Sequence, residues 1–104
     1  ALQAMVSLDR VGVGERVPVG SAGQSDPVQR ALLVAARRAN VPAFADPQQR
    51  SSDHWSFVRA RLPAARLGST PYAGYHSAGD VPDVVAPAQL QRVGRLLLKW
   101  LSPR

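Results

Sequence analysis

The run LQAMVSL at residues 2–8 limits the possible folds more than any other stretch of the chain. It is nearly continuous in apolar, β-compatible residues and stops at Asp9, the pattern of a short strand buried on both faces. Such a strand needs sheet neighbours on either side and cover above and below. Few other strand signals exist to supply them. RVPVG at 16–20 is assigned to a sheet edge, because Pro18 cannot donate to an interior ladder. PAARLGS at 63–69 is the remaining strand candidate.

Helices are easier to place. Ser25 or Asp26 can cap a helix whose first position is Pro27. Val28, Leu32, Ala35 and Ala39 form its apolar stripe, Arg30, Arg37 and Arg38 its solvent side, and Asn40 and Pro42 its end. SSDHWSFVRARL at 51–62 predicts a short helix capped by Ser51 or Ser52, with Trp55, Val58 and Leu62 facing inward. Leu90, Val93, Leu97, Trp100 and Leu101 recur at helical spacing opposite Gln91, Arg92, Arg95 and Lys99, with Pro87 in the first turn and Pro103 closing the helix. Strands alternating with helices give an α/β class with parallel strands.

Composition removes several function classes. Cysteine is absent, which excludes disulfides, thiolate metal sites and cysteine nucleophiles. No apolar run approaches the ~18 residues of a membrane span. The net charge of +6 comes from twelve Arg and one Lys against seven acids. Those arginines are scattered and the few aromatics do not interleave with them, which argues for solvated helix faces and against a nucleic-acid partner. No G-x-S-x-G elbow exists, and the glycines of VGVG (11–14) lack the third glycine and following helix of a dinucleotide fingerprint. Ala1 opens directly into apolar sequence, as in a processed product or an excised fragment.

Two polar residues fall just past strand ends, Asp9 directly and His76 one loop beyond PAARLGS. Ligands of open α/β sheets gather outside the carboxyl ends of the strands, so both residues are expected to face one crevice. Aspartate and histidine are zinc-ligand types. The alternative for His76 is an ordinary surface loop histidine.

SSDHWSFVRARLPAARL, followed by YHSAGDVPDVVAPAQLQRVGRLLLKWL and preceded by AMVSLDRVGVG, resembles the C-terminal part of the M28 family of zinc exopeptidases. The resemblance follows three linked motifs in order: a strand ending in Leu-Asp, then Ser-Asp-His with a Pro-Ala pair, then Tyr-His with an acid four residues on. It implies a fragment of a three-layer α/β/α, mostly parallel sheet lacking its N-terminal part, with residues 1–104 as the C-terminal portion of one M28-like domain. By resemblance, Asp9 and His76 match ligands of two different zinc ions, and Tyr75 matches a catalytic tyrosine that stabilises the oxyanion. Asp53, His54 and Asp80 match groups that hold the ligand loops in place. For Asp53 the plain alternative is a helix-capping carboxylate, and for Asp80 local turn bonding.

The resemblance further implies a peptide substrate, two zinc ions in the intact domain, and hydrolysis of N-terminal residues by metal-activated water. Members are often exported. Departures from the pattern accompany the matches. Arg10 stands where a methionine is usual, Arg61 where a glycine is common, and Ala86 where a capping Asp is usual. The family's bridging aspartate, further histidine and Glu-Glu pair have no counterpart, and Glu15 is the one glutamate. A general base must reach the water it deprotonates. The isolated chain is therefore expected to be catalytically inactive, to hold zinc weakly or not at all, and to self-associate or pair with a complementary N-terminal segment. The alternative is a non-catalytic association module derived from a degenerate or excised peptidase.

Overall fold

The structure is a computed structural model, and it describes residues 4–21, 26–46, 53–68 and 85–102. Four short strands form one mixed sheet: β1 (Met5–Leu8), β2 (Val17–Gly20), β3 (Ala43–Asp46) and β4 (Ala64–Leu67), in the order β1-β4-β2-β3. β1 pairs with β4 and β2 with β3 in parallel, while β2 and β4 run antiparallel. The three helices are α1 (Pro27–Arg38), α2 (His54–Arg59) and α3 (Pro87–Leu101).

The α1 boundaries follow from its ends. Asp26 holds an extended backbone and accepts from the N–H groups of Val28 and Gln29, ahead of Pro27. At the other end Asn40 takes a left-handed φ of 55°, the Val41 N–H bonds Ala36 O, and the Asn40 N–H bonds Arg37 O. This is a Schellman stop with asparagine in the position glycine usually fills. Arg61 has a φ of 62° and closes α2 in the same way, through Leu62 N–H to Phe57 O and Arg61 N–H to Val58 O. A cationic side chain therefore sits where the backbone favours glycine, at the position the family resemblance singled out.

Val17, Val19, Ala65 and Leu67 point to one face of the sheet and meet Val28, Leu32, Ala36, Val93 and Leu96 from α1 and α3. Helix α2 lies along β4 and β1 and contributes no residue to that core. Two buried glutamines fasten the helices to β2 and its approach: Gln29 donates to Val19 O and Gln89 to Arg16 O. Gln89 also accepts from Arg92.

Several sequence expectations change. RVPVG is an interior strand rather than an edge. Pro18 is tolerated there because it falls where the β2–β4 ladder ends, its carbonyl accepting from Gly68 while the Val17 N–H bonds Pro42 O toward β3. AFAD at 43–46 is a strand that carries no clear pattern in sequence. β1 is shorter than the LQAMVSL run and is not buried on both faces: it is an edge of the described sheet, and Leu8 is 52% exposed. The apolar stripe of α3 is rotated, with Gln89, Val93 and Leu96 buried, whereas Leu90 and Leu101 face outward. In α2 the wholly buried residue is His54; Trp55 and Val58 are half-buried and Leu62 is exposed. No helix among the described residues is long and apolar enough to cross a membrane.

Candidate functional site

Because β1 and β4 are parallel and in register from Met5↔Ala64 to Leu8↔Leu67, their carboxyl ends lie side by side. Asp9 follows β1 directly, and its N–H donates to Leu67 O. Gly68 follows β4 at the same level, beside Asp9. Tyr75, His76 and Asp80 themselves lie outside the described residues, as do the capping candidates Ser51, Ser52 and Ser25.

Asp9 is already engaged. Its Oδ1 lies 3.9 Å from Arg10 Nε and its Oδ2 lies 3.9 Å from Arg66 Nε. The Arg66 side chain is 10% exposed, and its Nη2 donates to the Asp9 carbonyl at 3.1 Å. Arg10 holds a left-handed φ of 57°, with its guanidinium alongside the carboxylate that precedes it. Each carboxylate oxygen thus faces a cation.

The way Arg66 reaches Asp9 is written in the sheet register. Arg66 opposes Ser7 on β1 and Gly20 on β2, and two residues further along its own strand comes Gly68. Its neighbours on that face carry almost no side chain. The guanidinium lies over Gly68, where a Cβ would sit 2.7 Å from Arg66 Cζ.

This environment does not fit a zinc ligand. A carboxylate oxygen approaches zinc to about 2.0–2.2 Å, and the incoming dication would stand among two guanidinium groups that already neutralise the carboxylate. Among the described residues, no three of His, Asp and Glu come together as a metal-binding group. Of the other matched residues, Asp53 is exposed at the N-cap position of α2 with a helical φ of −60° and makes no side-chain capping bond. Its expected capping role is therefore not met. His54 is buried within the fold beside it. Ala86 precedes α3 with no side-chain cap, as its sequence indicates.

A groove lies elsewhere, between α1 and α3. It is lined by Val34, Ala35, Arg38, Lys99 and Trp100 and encloses about 280 Å³. It belongs to the helical layer and not to the strand ends that carry Asp9. Arg66 escaped the sequence reading because a lone arginine in a strand candidate resembles a solvated cation. Only the register reveals the small residues that make room for it.

The sequence profile of peptidase family M28 matches residues 1–101. No curated protein matches the sequence. Among solved structures, BSAP, a zinc aminopeptidase from Bacillus subtilis, superposes with a TM-score of 0.84 at 24% identity, over 95% of this chain and 27% of that one. The LapA aminopeptidase of Legionella pneumophila gives 0.81 at 18% identity, over 95% and 30%. An aminopeptidase from Aneurinibacillus sp. strain AM-1 gives 0.83 at 24%, over 95% and 25%. The chain therefore spans under a third of the length of each of these structures.

Proposed function

Since the chain belongs to peptidase family M28, we propose that residues 1–104 are the C-terminal portion of one aminopeptidase-like domain, catalytically inactive alone and acting by association with the N-terminal portion of such a domain. The observation that carries the non-catalytic reading is the engagement of both Asp9 carboxylate oxygens by Arg10 and Arg66. Glu15 as the one glutamate supports it further, because no acid pair is present to supply a general base. The association reading rests on uncovered surface: β1 has a neighbour on one side only among the described residues, and Leu8, Leu90, Leu98 and Leu101 are exposed. An uncovered strand edge and exposed leucines are features onto which a further segment can pack.

A second reading is kept because of one feature. The parallel β1–β4 pair brings Asp9 and Gly68, eight residues before His76 in sequence, to the same end of the sheet. On that reading the assembled domain hydrolyses the N-terminal residues of peptides, with zinc and His76 and Tyr75 contributing at the positions the family assigns, and Asp53, His54 and Asp80 supporting them. The test is assembly of this chain with an M28 N-terminal portion carrying the His-x-Asp and Glu-Glu segments. The non-catalytic reading expects a stable complex by light scattering and no release of p-nitroaniline from aminoacyl substrates, with or without zinc. Zinc-dependent turnover by the complex would establish the second reading in its place, and failure to form any complex would defeat the association proposal.

A further inference from the structure

We propose that Arg66 is the permanent counter-charge of Asp9, standing electrostatically where the family places a metal ion, so that this strand end is held together without metal. The guanidinium is the better-buried member of the pair, and a buried charge persists only when it is paired and hydrogen-bonded. Arg66 is hydrogen-bonded to the Asp9 backbone carbonyl through Nη2, and its Nε lies 3.9 Å from the Asp9 carboxylate, near enough for an ion pair but not for a hydrogen bond. Its seat is built by the sheet: Ser7, Gly20 and Gly68 border it on that face, and a Cβ at position 68 would make the guanidinium shift from its place. Arginine suits this position because its guanidinium stays charged and can bond the Asp9 carbonyl while lying beside the Asp9 carboxylate. Arg10 supplies a second, more exposed cation to the other carboxylate oxygen.

The inference rests on the family assignment but not on the association reading, since the contact lies wholly within this chain. A double-mutant cycle on the 104-residue protein tests it, using thermal midpoints of the wild type, Asp9→Asn, Arg66→Met and the pair. Each single change is expected to lower the midpoint by about 5–10 °C, and the double variant by clearly less than the sum. Additive effects would overturn the proposal. Gly68→Ala provides a milder probe if Arg66→Met does not fold. It should lower the midpoint in the wild type and have little effect in the Asp9→Asn background, and equal losses in both would count against the pairing. The wild type needs no substitution for the remaining arm: zinc sulfate at ~0.1 mM and EDTA should both leave its midpoint unchanged. A zinc-induced rise that Asp9→Asn abolishes would show the carboxylate to be a free ligand and sink the proposal, whatever the association experiment finds.

Discussion

Asp26 is bonded to Ala64 across 38 residues of chain: while its Oδ1 caps α1, its Oδ2 accepts the Ala64 N–H at 3.2 Å. One carboxylate thus sets the start of a helix and the start of the strand beside it. Asp26→Ala should cost about 2–3 kcal/mol, roughly 1 for the cap and the rest for the buried Ala64 N–H left without its acceptor. Asp26→Ser, which keeps a capping oxygen but has no second one for Ala64, should fall between the two in urea denaturation.

Arg61 should be improvable. Its left-handed φ of 62° at the end of α2 costs about 1 kcal/mol for a residue with a Cβ. Arg61→Gly relieves that strain and loses part of the gain to the freer unfolded chain, for a net stabilisation of about 0.5 kcal/mol. Arg61→Val should destabilise by about 1 kcal/mol or more, because a branched Cβ fits this backbone worst. Both are measurable as shifts in the urea midpoint.

Ala86 leaves the first turn of α3 without a side-chain acceptor. Ala86→Ser should therefore raise stability by about 0.5–1 kcal/mol, read in the same experiment. By contrast, Gln89→Ala should lower it by about 2–3 kcal/mol. Gln89 is fully buried, and its loss removes both the Arg16 bond and the acceptor for Arg92.

Leu98 and Leu101 are each 69% exposed, so converting both to Lys should change the stability of the isolated chain by less than about 1 kcal/mol. If their face receives the rest of a domain, the same double variant should bind the N-terminal portion at least about tenfold more weakly, a difference of about 1.4 kcal/mol. Calorimetric titration separates the two effects.

What the letters revealed depended on how local the cause was. The ends of α1 were legible because Asp26, Pro27 and Asn40 act on backbone groups within a few residues of themselves. The two misjudged strands have non-local causes. Pro18 looked like an edge marker, yet it stands at the point where one ladder ends, a fact set by Gly68 fifty residues on. β3 exists because β2 offers it a parallel edge, and AFAD alone gives no sign of that. On α3 the helical period was right but its facing was not, since Gln89 is drawn inward by bonds to a distant carbonyl while leucines remain outside. The same distinction divides the site. Asp9 could be singled out from the end of an apolar run, whereas the partner that defines its chemistry is 57 residues away and meets it only through register.

The strand order β1-β4-β2-β3 carries a consequence for biosynthesis. As the chain emerges, β2 and β3 can pair once residue 46 is available, with α1 between them already capped. β1 pairs with neither of them. Within this chain its hydrogen-bonding edge waits until β4 is made and inserted between it and β2, and such distant pairings are slow to form and prone to stray contacts in the interval. Of the four strands described, the earliest made is thus the last to be secured.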